Sequence, residues 1–116
     1  MSVVTIYHNP RCSKSRQTLA LIEAQGIQPD IVLYLKTPPS RSKLNHLLRL
    51  LNCSPRDLMR TSEDVYKQLK LAEEDRSDDQ LIQAMLDNPI LIERPIVETA
   101  SKARIGRPPE SVLEIL

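Results

Sequence analysis

The stretch Val3-Val4-Thr5-Ile6-Tyr7-His8-Asn9-Pro10-Arg11-Cys12-Ser13-Lys14-Ser15-Arg16 decides the fold. Its first residues, Val3 to Tyr7, are β-branched or aromatic and predict a strand. Asn9-Pro10 then starts a turn, because proline bars its predecessor from the helical conformation. From Ser13 the pattern becomes helical, running through Leu19, Ala20 and Ile22 to a natural stop at Gly26. Asp30 to Tyr34 reads as a second, buried strand. The first third is therefore a strand–helix–strand unit. If both strands join one sheet, they should run parallel.

Beyond this unit the chain turns helical. Thr37-Pro38-Pro39 breaks the chain and offers Ser40 as an N-cap. Leu44, Leu47, Leu48 and Leu51 then fall on one helical face. Ser54-Pro55 opens a short helix to Met59 or Arg60, and Glu63 to Leu69 predicts another. Ser77 to Gln80 spells a capping box, followed by Leu81, Ile82, Met85 and Leu86 as a buried face, and Asn88-Pro89 ends that helix. Strand character returns at Pro95–Glu98 and Lys102–Ile105. A turn at Gly106–Pro109 leads to a final short helix, with Val112, Leu113 and Leu116 expected inward. The order predicts an α/β fold, a small mixed sheet flanked by helices. Residues 1–116 read as one domain, with a helical insertion over about 38–88.

Composition narrows the function. The chain has no Trp or Phe and three Tyr, so a platform that stacks nucleic-acid bases on aromatic rings is not expected. A formal net charge of +1 provides no strong field for nucleic acid or an anionic membrane. No apolar run approaches the roughly 20 residues of a membrane span. The N-terminus enters the strand pattern at once, without a signal-peptide pattern, and the expected location is cytoplasmic. The two cysteines, Cys12 and Cys53, form no Cys-x-x-Cys pair, and the two histidines lie far apart, so no metal site is expected.

Cys12 falls between a strand and a helix start. Free backbone N–H groups and the helix dipole there favour an anion, and so favour thiolate over thiol. Arg11, Lys14 and Arg16 push the same way, and Ser13 and Ser15 add hydroxyl donors. His8, in the same turn, could assist as a cation or as a proton acceptor, or be an ordinary turn histidine. Arg16 follows Cys12 after only three residues, too soon for a phosphatase-type loop. A nucleophilic thiol without a local partner needs a second thiol from elsewhere, such as glutathione. Arg94 and Arg107 each precede a proline, which holds their backbone extended and suits an oxyanion clamp. The same placement fits ordinary solvated arginines. Cys53 reads as a structural or surface thiol.

The run Thr5 to Arg16 resembles the opening of the glutaredoxin-coupled arsenate reductases, the ArsC family. The resemblance continues through Val32–Arg41, Asp57–Arg60, Asp79–Ile82, Asn88–Val97 and Arg107-Pro108, closest to the short YfgD-like branch. It implies a thioredoxin-like fold and a cis peptide before Pro95. It implies Cys12 as nucleophile, His8 as the histidine that favours its thiolate, and Ser15 as a hydrogen-bonding partner of the sulfur. Arg60, Arg94 and Arg107 correspond to the family's anion-binding arginines. The implied substrate is arsenate or a similar oxyanion, with glutathione as co-substrate, glutaredoxin as partner, no bound cofactor and a monomeric state. Two alternatives share the fold: an Spx-like regulator that binds RNA polymerase, and a general monothiol glutathione-linked oxidoreductase. Ser15 stands where the regulator's switch needs a second cysteine, which argues against a local disulfide switch.

Overall fold

A computed structural model describes residues 3–116. The chain forms two compact units, one of residues up to Thr37 together with Arg94–Leu116, the other Pro38–Glu93.

The first unit holds a four-stranded sheet. Strand β1 (Thr5–Tyr7) is followed by helix α1 (Ser13–Ala24) and strand β2 (Asp30–Val32); β3 (Ile96–Glu98) and β4 (Ala103–Ile105) come from the end of the chain. The strand order is β2-β1-β3-β4. β1 pairs in parallel with β2, as the strand–helix–strand reading requires, and antiparallel with β3, whose Ile96 faces Tyr7. β3 and β4 are antiparallel, with Val97 opposite Arg104. Alternation sends Ile6 and Val97 to one face, where they meet Val4, Ile22 of α1 and Val112 in a core cluster. Tyr7 points the other way, and its hydroxyl donates to Glu98 Oε1 at 2.9 Å, a buried bond that ties β1 to β3. Burial and the adjacent carboxylate push the Tyr7 phenol well above its ordinary pKa.

Two expectations change here. β2 is shorter than Asp30–Tyr34 and is not buried: it is the sheet edge, and Ile31 is 49% exposed. An apolar run reads alike for central and edge strands, because the difference lies in which neighbour is missing. The last segment, Pro109–Ile115, is a 3-10 helix. At about three residues per turn, Pro109, Val112 and Ile115 share one side. Pro109 and Val112 are buried and Ile115 packs on the core, whereas Leu113 and Leu116 face solvent.

The second unit is helical. Ser40 caps α2 (Arg41–Leu51) by accepting from the Lys43 N–H at 3.0 Å, and Leu44, Leu47 and Leu48 are buried. Asn52 ends α2 in the left-handed region at φ 53°, a conformation that Asn tolerates. A short 3-10 turn (Arg56–Leu58) and α3 (Asp64–Gln68) lead to α4 (Asp78–Asp87). The capping box forms as read: the Gln80 N–H donates to Ser77 Oγ at 3.2 Å, and Gln80 Oε1 accepts from the Ser77 N–H at 2.8 Å. α4 packs against α2 and buries Leu81, Ile82 and Met85. An isolated antiparallel bridge joins Met59 to Ile92, near the end of this unit at Glu93. No helix among the described residues is long and apolar enough to cross a membrane.

One contact fixes where α1 meets the two proline-containing turns. A Cβ at Gly106 would lie 2.4 Å from Thr18 Oγ1 and 2.8 Å from Pro95 Cγ. Thr18 is fully buried, and its hydroxyl donates to the Lys14 carbonyl at 2.8 Å, so it cannot swing aside freely. Gly106→Ala should lower stability by about 1–3 kcal/mol, the usual cost of overpacking a filled site. Urea denaturation measures it, and an unchanged midpoint would contradict the packing described.

Candidate active site

Cys12 occupies the N-cap of α1, with an extended backbone at φ −92° and ψ 122°. The turn before it is tied by Asn9. The Asn9 carbonyl accepts from the Cys12 N–H at 3.0 Å, and Asn9 Oδ1 accepts from the Arg11 N–H at 3.0 Å. Arg16 Nη1 donates to the Pro10 carbonyl at 2.8 Å, binding the turn to the first turn of the helix. These bonds leave the sulfur at the helix start, where the backbone N–H groups of Lys14 and Ser15 act to lower its pKa.

The two proline-flanked arginines reach the same sulfur. Arg94 hydrogen-bonds it through its side chain. Arg107 Nη2 lies 3.5 Å from Cys12 Sγ. Its direction is set at the other end of the guanidinium, where Nε donates to the Arg94 carbonyl at 2.8 Å. Both Arg94-Pro95 and Arg107-Pro108 are cis. The partial burial of the sulfur acts to raise its pKa. The Ser15 N–H, the Arg94 guanidinium and the Lys14 N–H act against it and prevail, so the thiol titrates below the ordinary cysteine value. The groups around the sulfur thus favour its thiolate form.

His8 and Ser15 form a buried pair one step removed. His8 Nδ1 and Ser15 Oγ are 2.6 Å apart, and Ser15 Oγ also accepts from the Asn9 N–H at 3.1 Å. Burial, and then the charge of Arg16, push the His8 pKa below its ordinary value. The ring is therefore neutral at pH 7. With its proton on Nε2, the Ser15 hydroxyl donates to Nδ1 while accepting from Asn9, which satisfies all three groups. The cationic role open to His8 in the sequence gives way to a different one: it orders Ser15. The Ser15 hydroxyl is engaged by His8 and by the Asn9 N–H, while its backbone N–H acts to lower the Cys12 pKa.

Arg60 lies in the second unit. Its N–H donates to the Leu91 carbonyl at 2.7 Å, and its guanidinium pairs with Glu93 at 2.7 Å and Glu63 at 3.3 Å. Burial acts to lower its pKa, but the two carboxylates outweigh burial and hold it firmly charged. In Cys53 burial and Asp57 raise the thiol pKa, the opposite of Cys12. Among the described residues no group of three or more His, Cys, Asp or Glu side chains is placed to hold a metal ion. The residue missed in the sequence is Asn9. It is 5% exposed and knots the turn through its N–H, carbonyl and side chain. The Asn-Pro signal marked a turn there without showing which bonds close it.

Residues 7–115 match the model of the ArsC family. The chain is 59% identical over 114 residues to the uncharacterized protein YfgD of Escherichia coli K12, covering 97% of this chain and 96% of that one. It is 52% identical over 117 residues to an arsenate reductase of Haemophilus influenzae, covering both chains entirely. Among solved structures, an arsenate reductase from Vibrio cholerae superposes with a TM-score of 0.96 at 54% identity, over 98% of each chain.

The pH dependence of alkylation tests the electrostatics. The rate of Cys12 modification by iodoacetamide should rise with pH through a midpoint below the ordinary cysteine value of about 8.5. Loss of one charged donor in Arg94→Gln should move that midpoint up by about one unit. An unmoved midpoint would mean that Arg94 does not stabilise the thiolate.

Proposed function

The chain belongs to the ArsC family, and from that we propose that it is an arsenate reductase whose nucleophile is Cys12 and whose reductants are glutathione and glutaredoxin. One observation carries the reading. The Cys12 sulfur lies at a helix N-terminus with two guanidinium groups directed at it, which favours its thiolate form. Such a site favours the attacking anion and offers donors to the oxygens of an arriving tetrahedral oxyanion. The relatives at about half identity that carry the name arsenate reductase support the substrate.

The chemistry follows from the groups present. The Cys12 thiolate attacks arsenic, and one oxygen leaves as water after protonation. A glutathione thiolate displaces a second oxygen, again as water. A glutaredoxin thiolate then attacks the glutathione sulfur. The As–S electron pair stays on arsenic, which falls from As(V) to As(III), and a glutaredoxin–glutathione mixed disulfide departs. Hydrolysis frees arsenite and returns Cys12 as a thiol. The two electrons come from the two external thiols, so Cys12 needs no neighbouring cysteine and no bound cofactor.

The roles divide by geometry. Arg94 and Arg107 stabilise the thiolate first and the adduct's oxygens afterwards. Arg60 is engaged by Glu63 and Glu93 within the second unit, and no step at Cys12 is assigned to it. His8 and Ser15 hold the turn through their bond to each other and that of Ser15 to Asn9, so they are positioning residues. Dependence on reduced glutathione implies a cytoplasmic setting.

NADPH oxidation in a coupled assay with arsenate, glutathione, glutaredoxin and glutathione reductase tests the reading. Wild type should turn over in proportion to arsenate, and Cys12→Ser should lose all enzyme-dependent rate. Wild-type protein that shows no arsenate dependence, with every coupling component verified, would remove the substrate.

A further inference from the structure

A cleft of about 280 Å³ opens beside the turn that carries Cys12. It is lined by Pro10 and Arg11 of that turn and by Leu33, Leu35 and Lys36, just beyond the edge strand β2. Its lining is mostly apolar, and Leu35 is 40% exposed. Two cationic residues, Arg11 and Lys36, line the cleft, and no carboxylate does. Among the described residues neither cation has an ion-pair partner. The walls are fixed: Asn9 Oδ1 holds the Arg11 N–H, and the Lys36 N–H donates to the Leu33 carbonyl at 2.9 Å.

We propose that this cleft binds the thiol co-substrate, a short peptide thiol with a carboxylate at each end, as in glutathione. The assignment rests on the reading that such a thiol is the reductant. Three features select this guest. The two cations match two terminal carboxylates, Arg11 with a forked donor geometry and Lys36 with a point charge. The apolar floor suits the methylene groups between them. No carboxylate lines the cleft to repel those termini. Arg11 is the residue before Cys12, so one anchor lies on the turn that carries the reacting sulfur.

The arrangement also resolves a conflict of charge. Oxyanion and reductant are both anions and must be present together at the arsenic transfer step. Arg94 and Arg107 are committed to the Cys12 sulfur and its adduct, and neither lines this cleft. A separate pair of cations lets both anions bind without competing for one guanidinium.

The test has two arms on the full-length chain. In the first, reduced glutathione is titrated into isotope-labelled Cys12→Ser protein and amide shifts are followed by NMR. Saturable shifts at Arg11, Leu33, Leu35 and Lys36 are expected, weakening about fivefold in Lys36→Glu and declining with added salt. No saturable shift, or shifts centred on Arg94 and Arg107, would overturn the assignment. In the second arm, Lys36→Glu should raise the KM for glutathione about fivefold in the coupled assay while leaving the KM for arsenate and the alkylation midpoint of Cys12 unchanged. An unchanged KM for glutathione would also overturn it. The arms separate the site from the reading beneath it. Binding in the cleft without glutathione-dependent turnover supports the site and removes the reductant role. Glutathione-dependent turnover with shifts elsewhere does the reverse.

Discussion

At Gly106 the backbone of one turn, the side chain of Thr18 and the ring of Pro95 converge with no room for another carbon atom. That contact joins three pieces of chain that are distant in sequence. Thr18 belongs to the helix that Cys12 begins, Pro95 follows Arg94, and Gly106 precedes Arg107. The spacing of both guanidinium groups from the sulfur is thus set by a packing contact outside the site. Charge alone would draw the arginines toward any thiolate, but tight packing fixes their distance and angle.

The second layer of control is electrostatic and local. The helix start provides N–H groups, and the Asn9 turn presents the sulfur to them. A buried neutral histidine keeps this turn rigid without adding charge. A cationic imidazole in the same place would have to be desolvated beside Arg16, which is the reason its pKa falls. The stabilising charge comes from the guanidinium groups of Arg94 and Arg107, and the buried histidine serves for position.

The legible parts of the chain are those where a local rule and the tertiary outcome agree. The capping box at Ser77 and Gln80, the Ser40 cap and the leucine face of α2 are all determined within a few residues. The edge position of β2 and the outward turn of Leu113 and Leu116 were not legible. An apolar residue carries the same letter whether a neighbour covers it or not, and the 3-10 winding that brings Pro109, Val112 and Ile115 into line differs from an α-helix only in hydrogen-bond register. In the site, Cys12 was legible from its basic neighbours and its place before a helix. The roles within the His8–Ser15–Asn9 knot were not, because one hydroxyl has several possible partners and only coordinates show which it takes.

By itself the sequence determined the strand–turn–helix that holds Cys12, the helical character of the middle segment, the proline-flanked arginines and, through motifs spread along the whole chain, the family. These are properties of neighbouring residues, where backbone sterics, capping and spacing act over a turn or two. Only the tertiary structure decided that Arg94 and Arg107 meet at one sulfur, that the Ser15 hydroxyl is engaged by His8 and Asn9, and that Arg11 and Lys36 line one cleft. Each of these depends on the close approach of segments separated along the chain, and that approach is fixed by what packs between them.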